Sequence, residues 1–192
     1  MTTLISIRLR GLMVISLLIL GIANNAVAAS SLRAGVARVN LTPPLEMKAA
    51  LGGYGARMSK PAVGVHDAIW AKALVLVQDE RKFAVVTADV LAFPPGFKAA
   101  VIERLATNGW SADQVLLLAS HSHTSIDMMA LHPGNVFGIP QAGIFQKELF
   151  EHTAGQLAKV IRDANKELAL QRHLPLALTA EVANDAVVLI PC

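Results

Sequence analysis

Two histidines one residue apart, His121 and His123, follow directly on the apolar run Val115 to Ala119, with the hydroxyls of Ser120, Ser122 and Thr124 around them. Neutral imidazole is a good zinc ligand, and a catalytic zinc takes three protein ligands and keeps one position open for water. Residues two apart on an extended segment share a face. If residues 120–124 are extended, both imidazoles therefore converge while the three hydroxyls point the other way. A solvated polar loop has the same composition, and two imidazoles alone hold zinc weakly and without selectivity, so spacing leaves both readings open. Two familiar zinc layouts do not fit. A His-x-His-x-Asp-His site needs aspartate where Ser125 stands, with Asp127 two positions too late. A barrel hydrolase places His-x-His on its first strand and needs a longer chain than 192 residues.

The elements that must hold these residues are legible in the hydrophobic pattern. "AGVARVNLTPP" alternates small or apolar with polar residues from Ala34 to Asn40 and stops at Pro43-Pro44, as a short strand does. "AIWAKALVLVQ" (68–78) and "KFAVVTADV" (82–90) are β-branched and apolar runs separated by Asp79-Glu80-Arg81, which predicts a hairpin. Their near-continuous hydrophobicity predicts burial on both faces. In "GFKAAVIERLATNG", Phe97, Val101 and Leu105 recur at fours before Asn108-Gly109, the pattern of a helix with a glycine stop. "VLLLA" follows as a buried strand, so strand, helix and strand form a parallel βαβ unit. A long amphipathic helix is predicted within residues 143–168, where Phe145, Leu149, Leu157, Val160, Ile161, Ala164 and Leu168 recur at threes and fours. Further strands are expected in "LPLALTAEVAN" and "AVVLIPC". The fold class is α/β, a mixed sheet with a parallel βαβ unit and flanking helices. Asp89 then falls at the end of one parallel strand and His121 and His123 at the end of its neighbour, the edge where open α/β sheets bind ligands.

Between the first two strands lies "LGGYGARMSKPAVGVHD", whose Gly52, Gly53 and Gly55 permit tight turns or close approach to a ligand. Glycines alone do not distinguish such a loop from a plain surface connection, which is the default reading.

The ends and the charge limit the partners. Residues 1–28 carry Arg8 and Arg10, an apolar run from Gly11 to Ile22 and the small-x-small triplet Ala26-Val27-Ala28, the layout of a secretory signal peptide. A membrane anchor would need about 20 apolar residues, and Asn24 and Asn25 interrupt this run too early. The expected organisation is a signal peptide, 1–28, and one domain, 29–192, secreted or periplasmic. Loss of residues 1–28 leaves 15 basic against 14 acidic side chains. No clustered basic stripe exists to neutralise a phosphate backbone, which argues against a nucleic-acid partner. Cys192 is the single cysteine, so no internal disulfide can form.

Several of these stretches, "AGVARVNLTPP", "LGGYG", "GVHDAIWAKALVLV", "FAVVTADV" and "VLLLASHSHTSID", stand in an order and at separations similar to the start of the neutral/alkaline, non-lysosomal ceramidases. The chain resembles the N-terminal part of that family over about Leu32 to Asn184. The resemblance implies a zinc-dependent amidase that cleaves a ceramide-like lipid amide, or another small amide, to a fatty acid and an amine. In the family a Thr-His-Thr-His-Ser-Gly-Pro motif places the first histidine on catalytic Zn2+ and the second beside metal and substrate. Carried over, His121 is the ligand and His123 its catalytic companion. His66, in "GVHDAIW", matches a family segment near the site and is a further catalytic candidate, the alternative being a structural role at the entry to the hairpin. A peripheral membrane contact also follows from such a substrate.

The sequence departs from the family pattern in two respects. Ser120 and Ser122 replace the threonines, and Thr124-Ser125-Ile126 replaces Ser-Gly-Pro, so the hydroxyl at 124 is kept and the Gly-Pro turn is not. The family draws its second zinc histidine, a glutamate and a tyrosine from far downstream, which leads to the expectation of an incomplete domain that is inactive alone. His152 and His173 match no family motif and read as solvated surface residues. The alternative functions are a secreted α/β fragment without turnover and a small binding domain using the glycine loop.

Overall fold

The computed structural model describes residues 31–170. The expected signal peptide, the strands expected beyond residue 173, and His173 lie outside these residues. The strands are β1 (Arg33–Asn40), β2 (Trp70–Gln78), β3 (Arg81–Ala88), β4 (Val115–Ala119) and the two-residue β5 (Ala169–Leu170), and the helices are α1 (Phe97–Glu103) and α2 (Lys147–Lys166). The sheet order is β4-β3-β2-β1-β5. All neighbours are antiparallel except β3 and β4, which run parallel from Ala84↔Val115 to Ala88↔Ala119 with α1 in the crossover. The parallel unit and the hairpin are as expected. The hairpin closes through the two-residue turn Asp79-Glu80, with Asp79 at φ +54°.

Burial on both faces is not found. Along β2, Ala71, Ala73, Val75 and Val77 are buried while the residues between them are half-exposed, and in β4 Leu116 and Leu118 are exposed. The helices account for this: α2 packs on β1 and β2, α1 packs on α2, and both lie on one face. Apolar character in a strand reports affinity for a packed surface, not that each face has found one. A row of side chains on the open face, Val36, Leu74, Val85 and Leu116, crosses four strands in register.

Leu149, Leu157, Val160 and Ile161 of α2 are fully buried. Burial of each such side chain is worth roughly 1.5–3 kcal/mol, so the α2 face is a major part of what holds the sheet. The packing is close: a β-carbon on Gly35 of β1 would collide with the carbonyl oxygen of Ala164. Helix α1 is shorter than its pattern suggests. Its α-helical turns end at Glu103, and the chain continues in a 3-10 turn at Ala106–Asn108 to Gly109 at φ +66°. Leu105 keeps its place in the core, fully buried. Among the described residues no helix is long and apolar enough to cross a membrane.

Candidate functional site

The site is built where β3 and β4 end. Two backbone bonds continue the parallel ladder past the strands, Ser120 N–H to Ala88 O (3.0 Å) and His121 N–H to Val90 O (3.1 Å). Residue 121 is not extended, as the even spacing would require, but left-handed at φ +62°, a conformation uncommon outside glycine. The two rings nevertheless meet, with centroids 5.0 Å apart and planes at 73°. Convergence therefore comes from a turn at His121, not from strand alternation.

The ring of His121 is exposed and anchored at one nitrogen, with Nδ1 2.9 Å from the carbonyl oxygen of Leu91. A carbonyl only accepts, so Nδ1 carries the proton and the lone pair lies on Nε2. Metal-binding histidines are held in this way, one ring nitrogen fixed by a carbonyl so that the other is presented.

His123 is half-buried, and its Nδ1 is fully enclosed without a hydrogen-bond partner among the described residues. The enclosure is made by the glycine loop. Gly53, at φ +91°, lies so close that a β-carbon there would strike Nδ1, Cγ and Cε1 of the imidazole. The Tyr54 ring also packs on the imidazole, with centroids 4.9 Å apart. This loop is not the plain connection that glycine content alone suggested.

The missing Gly-Pro turn is replaced by hydroxyl bonding. Ser125 is buried and donates from Oγ to Ser122 O (2.8 Å), and the hydroxyls of Ser122 and Thr124 are 3.2 Å apart. Ser and Thr hydroxyls bonding nearby backbone make turns of this kind. Ile126 then bridges both Leu51 and Val90, and Gly52 N–H donates to Ser125 O (3.0 Å), which ties the histidine loop to the glycine loop. A shallow, mostly apolar depression borders this seam, lined in part by Thr42, Pro44, Ala49, Leu51, Val65 and Ile126.

The other polar candidates are placed less centrally. Asp89 sits at the same sheet edge as His121, but its Oδ2 accepts from Trp70 N–H (2.9 Å) and its own N–H donates to Trp70 O (2.9 Å), so it extends the β2–β3 ladder. His66 is exposed, with Nδ1 2.6 Å from Asp67 Oδ2, and no ring contact or hydrogen bond joins it to His121 or His123 among the described residues. Asp127 receives the Met129 N–H on Oδ1 (2.9 Å), and burial raises its pKa above the ordinary value, with that hydrogen bond opposing. His152 is not a solvated surface histidine: it is half-buried on α2, its Nε2 is enclosed without a partner, and desolvation lowers its pKa. Tyr54 and Arg57 escaped the sequence reading, although an aromatic directly after paired glycines, with an arginine three residues on, in "GGYGAR" was the available signal.

A family model described as neutral/alkaline non-lysosomal ceramidase, N-terminal, matches residues 32–182. Among solved structures, the fold is similar to that of neutral ceramidase from Pseudomonas aeruginosa, with a TM-score of 0.62 at 21% identity over 73% of this chain and 22% of that one. It is also similar to a ceramidase complexed with C2, with a TM-score of 0.59 at 22% identity over the same shares. The chain thus spans about a fifth of the length of the solved ceramidases it matches. No curated protein matches the sequence.

Proposed function

The chain belongs to the neutral/alkaline non-lysosomal ceramidase family, and from that membership we propose that it carries the first part of the site of a zinc-dependent amide hydrolase acting on a ceramide-like lipid amide. The observation that supports this most is the tether of His121, whose Nδ1 is held on Leu91 O so that Nε2 faces outward beside the second imidazole. The donor chemistry fits zinc in part. Neutral imidazole with one nitrogen fixed is a suitable ligand, while no group of three His, Cys, Asp or Glu side chains converges among the described residues.

Zinc, when bound, supplies Lewis acidity toward an amide carbonyl and toward the attacking water. His121 presents Nε2 as its ligand. His123, 5.0 Å away ring to ring and enclosed by Gly53 and Tyr54, takes a proton from the water and returns it to the leaving amine. His66 is the further catalytic candidate, positioned by Asp67 on the exposed loop before β2. Export by residues 1–28 to the periplasm or the exterior belongs to the same proposal, as does a peripheral contact with a lipid surface.

The test is zinc titration of the full chain together with fatty-acid release from a short-chain ceramide. With a partial ligand set, the chain should bind zinc loosely, lose about tenfold or more in affinity on His121→Ala, and release fatty acid near the background rate. Zinc affinity indifferent to His121→Ala would overturn the ligand assignment. Robust zinc-dependent hydrolysis would show that the chain carries more than the first part of a site.

A further inference from the structure

We infer that Arg57 is a positioning residue for His123, a clamp that holds the glycine loop and the histidine loop together; the inference rests on the reading of His123 as an active-site imidazole. One nitrogen, Nη1, donates both to Gly52 O (2.8 Å) and to His123 O. An arginine Nη carries two protons, so both bonds can be made at once. The guanidinium also lies over the Tyr54 ring, 4.8 Å from its centroid, and Tyr54 in turn packs on the His123 ring. Arg57 therefore reaches His123 from two directions, directly at its backbone and through Tyr54 at its imidazole.

The surroundings point to this role. Arg57 forms no ion pair with a carboxylate among the described residues, so its charge is directed at carbonyl oxygens and an aromatic face. It is half-buried in a loop whose other residues from Gly53 to Met58 are exposed. Gly53 has a left-handed backbone and touches the imidazole, so an unrestrained loop could lift away and open the enclosure of Nδ1. Lysine could keep the charge and one carbonyl contact, but it lacks the planar fork that donates and stacks together.

The test is nuclear Overhauser spectroscopy on the full chain with labelled histidines. In the wild type, the His123 ring protons should show contacts with Gly53 Hα and with the Tyr54 ring. In Arg57→Ala these contacts should be lost, while the protonated Nδ1 signature of His121 on Leu91 and the melting of the fold remain. Arg57→Lys should keep the fold and regain only part of the contacts. Retention of both sets of His123 contacts in Arg57→Ala would overturn the inference. If Arg57→Ala does not fold, Arg57→Lys decides alone, and full wild-type contacts there would overturn it. The readout needs no turnover, so a failure of the clamp and a failure of the hydrolase proposal are distinguishable.

Discussion

The Nδ1 of His123 faces Gly53 so closely that no β-carbon can stand between them, and it has no other partner among the described residues. Glycine here serves two needs at once, a positive φ of +91° and the absence of a side chain. Gly53→Ala should cost at least ~1–2 kcal/mol from the left-handed backbone alone and displace the imidazole as well. The check is urea unfolding together with the His123 ring spectrum. An alanine variant with unchanged midpoint and unchanged His123 shifts would refute the contact.

A second close approach fixes the helix on the sheet. In Gly35→Ala the new methyl would meet the Ala164 carbonyl oxygen, part of the α2 backbone, which cannot rotate away as a side chain can. The loss should be at least ~2 kcal/mol, at the upper end for overpacking, and visible as a lower melting temperature with the histidine pair unaffected in position. A neutral outcome would mean that α2 does not seat on β1 as described.

How much of this was legible in the sequence follows from what each signal reports. Periodicity found the hairpin, the parallel unit and α2, because each buries one regular face. It could not find the open face, since Leu116 and Leu118 look the same in sequence whether or not a layer covers them. The histidine pair was found for a reason that only partly holds: strand alternation was expected, and a left-handed His121 does the work instead. The Arg57–Tyr54–His123 contact joins positions 66 residues apart, and nothing local in either loop encodes it. His152 was misread because its place on α2 suggested solvent, while the burial of its Nε2 depends on packing that spacing does not report.

His152 gives the fold a pH dependence. Desolvation lowers its pKa in the folded state, so the folded protein holds fewer protons there than the unfolded chain as pH falls past about 6.5. Stability should therefore fall with acidification in that range and be flat above it. In His152→Gln this part of the slope should disappear, so the difference in melting temperature between variant and wild type should change from pH 7.5 to 5.5. A difference constant across that range would exclude the contribution.

Export is tested at the N-terminus. The triplet Ala26-Val27-Ala28 predicts a mature chain beginning at or next to Ala29. Edman sequencing of protein recovered from the periplasm or medium reads this directly. Recovered protein that still begins at Met1 would contradict the expectation.

The most direct measurement of the central claim is the long-range ¹H–¹⁵N spectrum of the histidine side chains during titration with zinc. The tether of His121 Nδ1 to Leu91 O predicts that Nδ1 keeps its proton throughout while Nε2 of His121 shifts as metal binds, with the His123 ring responding as its neighbour. Zinc that binds while Nε2 of His121 stays unmoved, or that removes the proton from Nδ1, would contradict the assignment of His121 as the ligand.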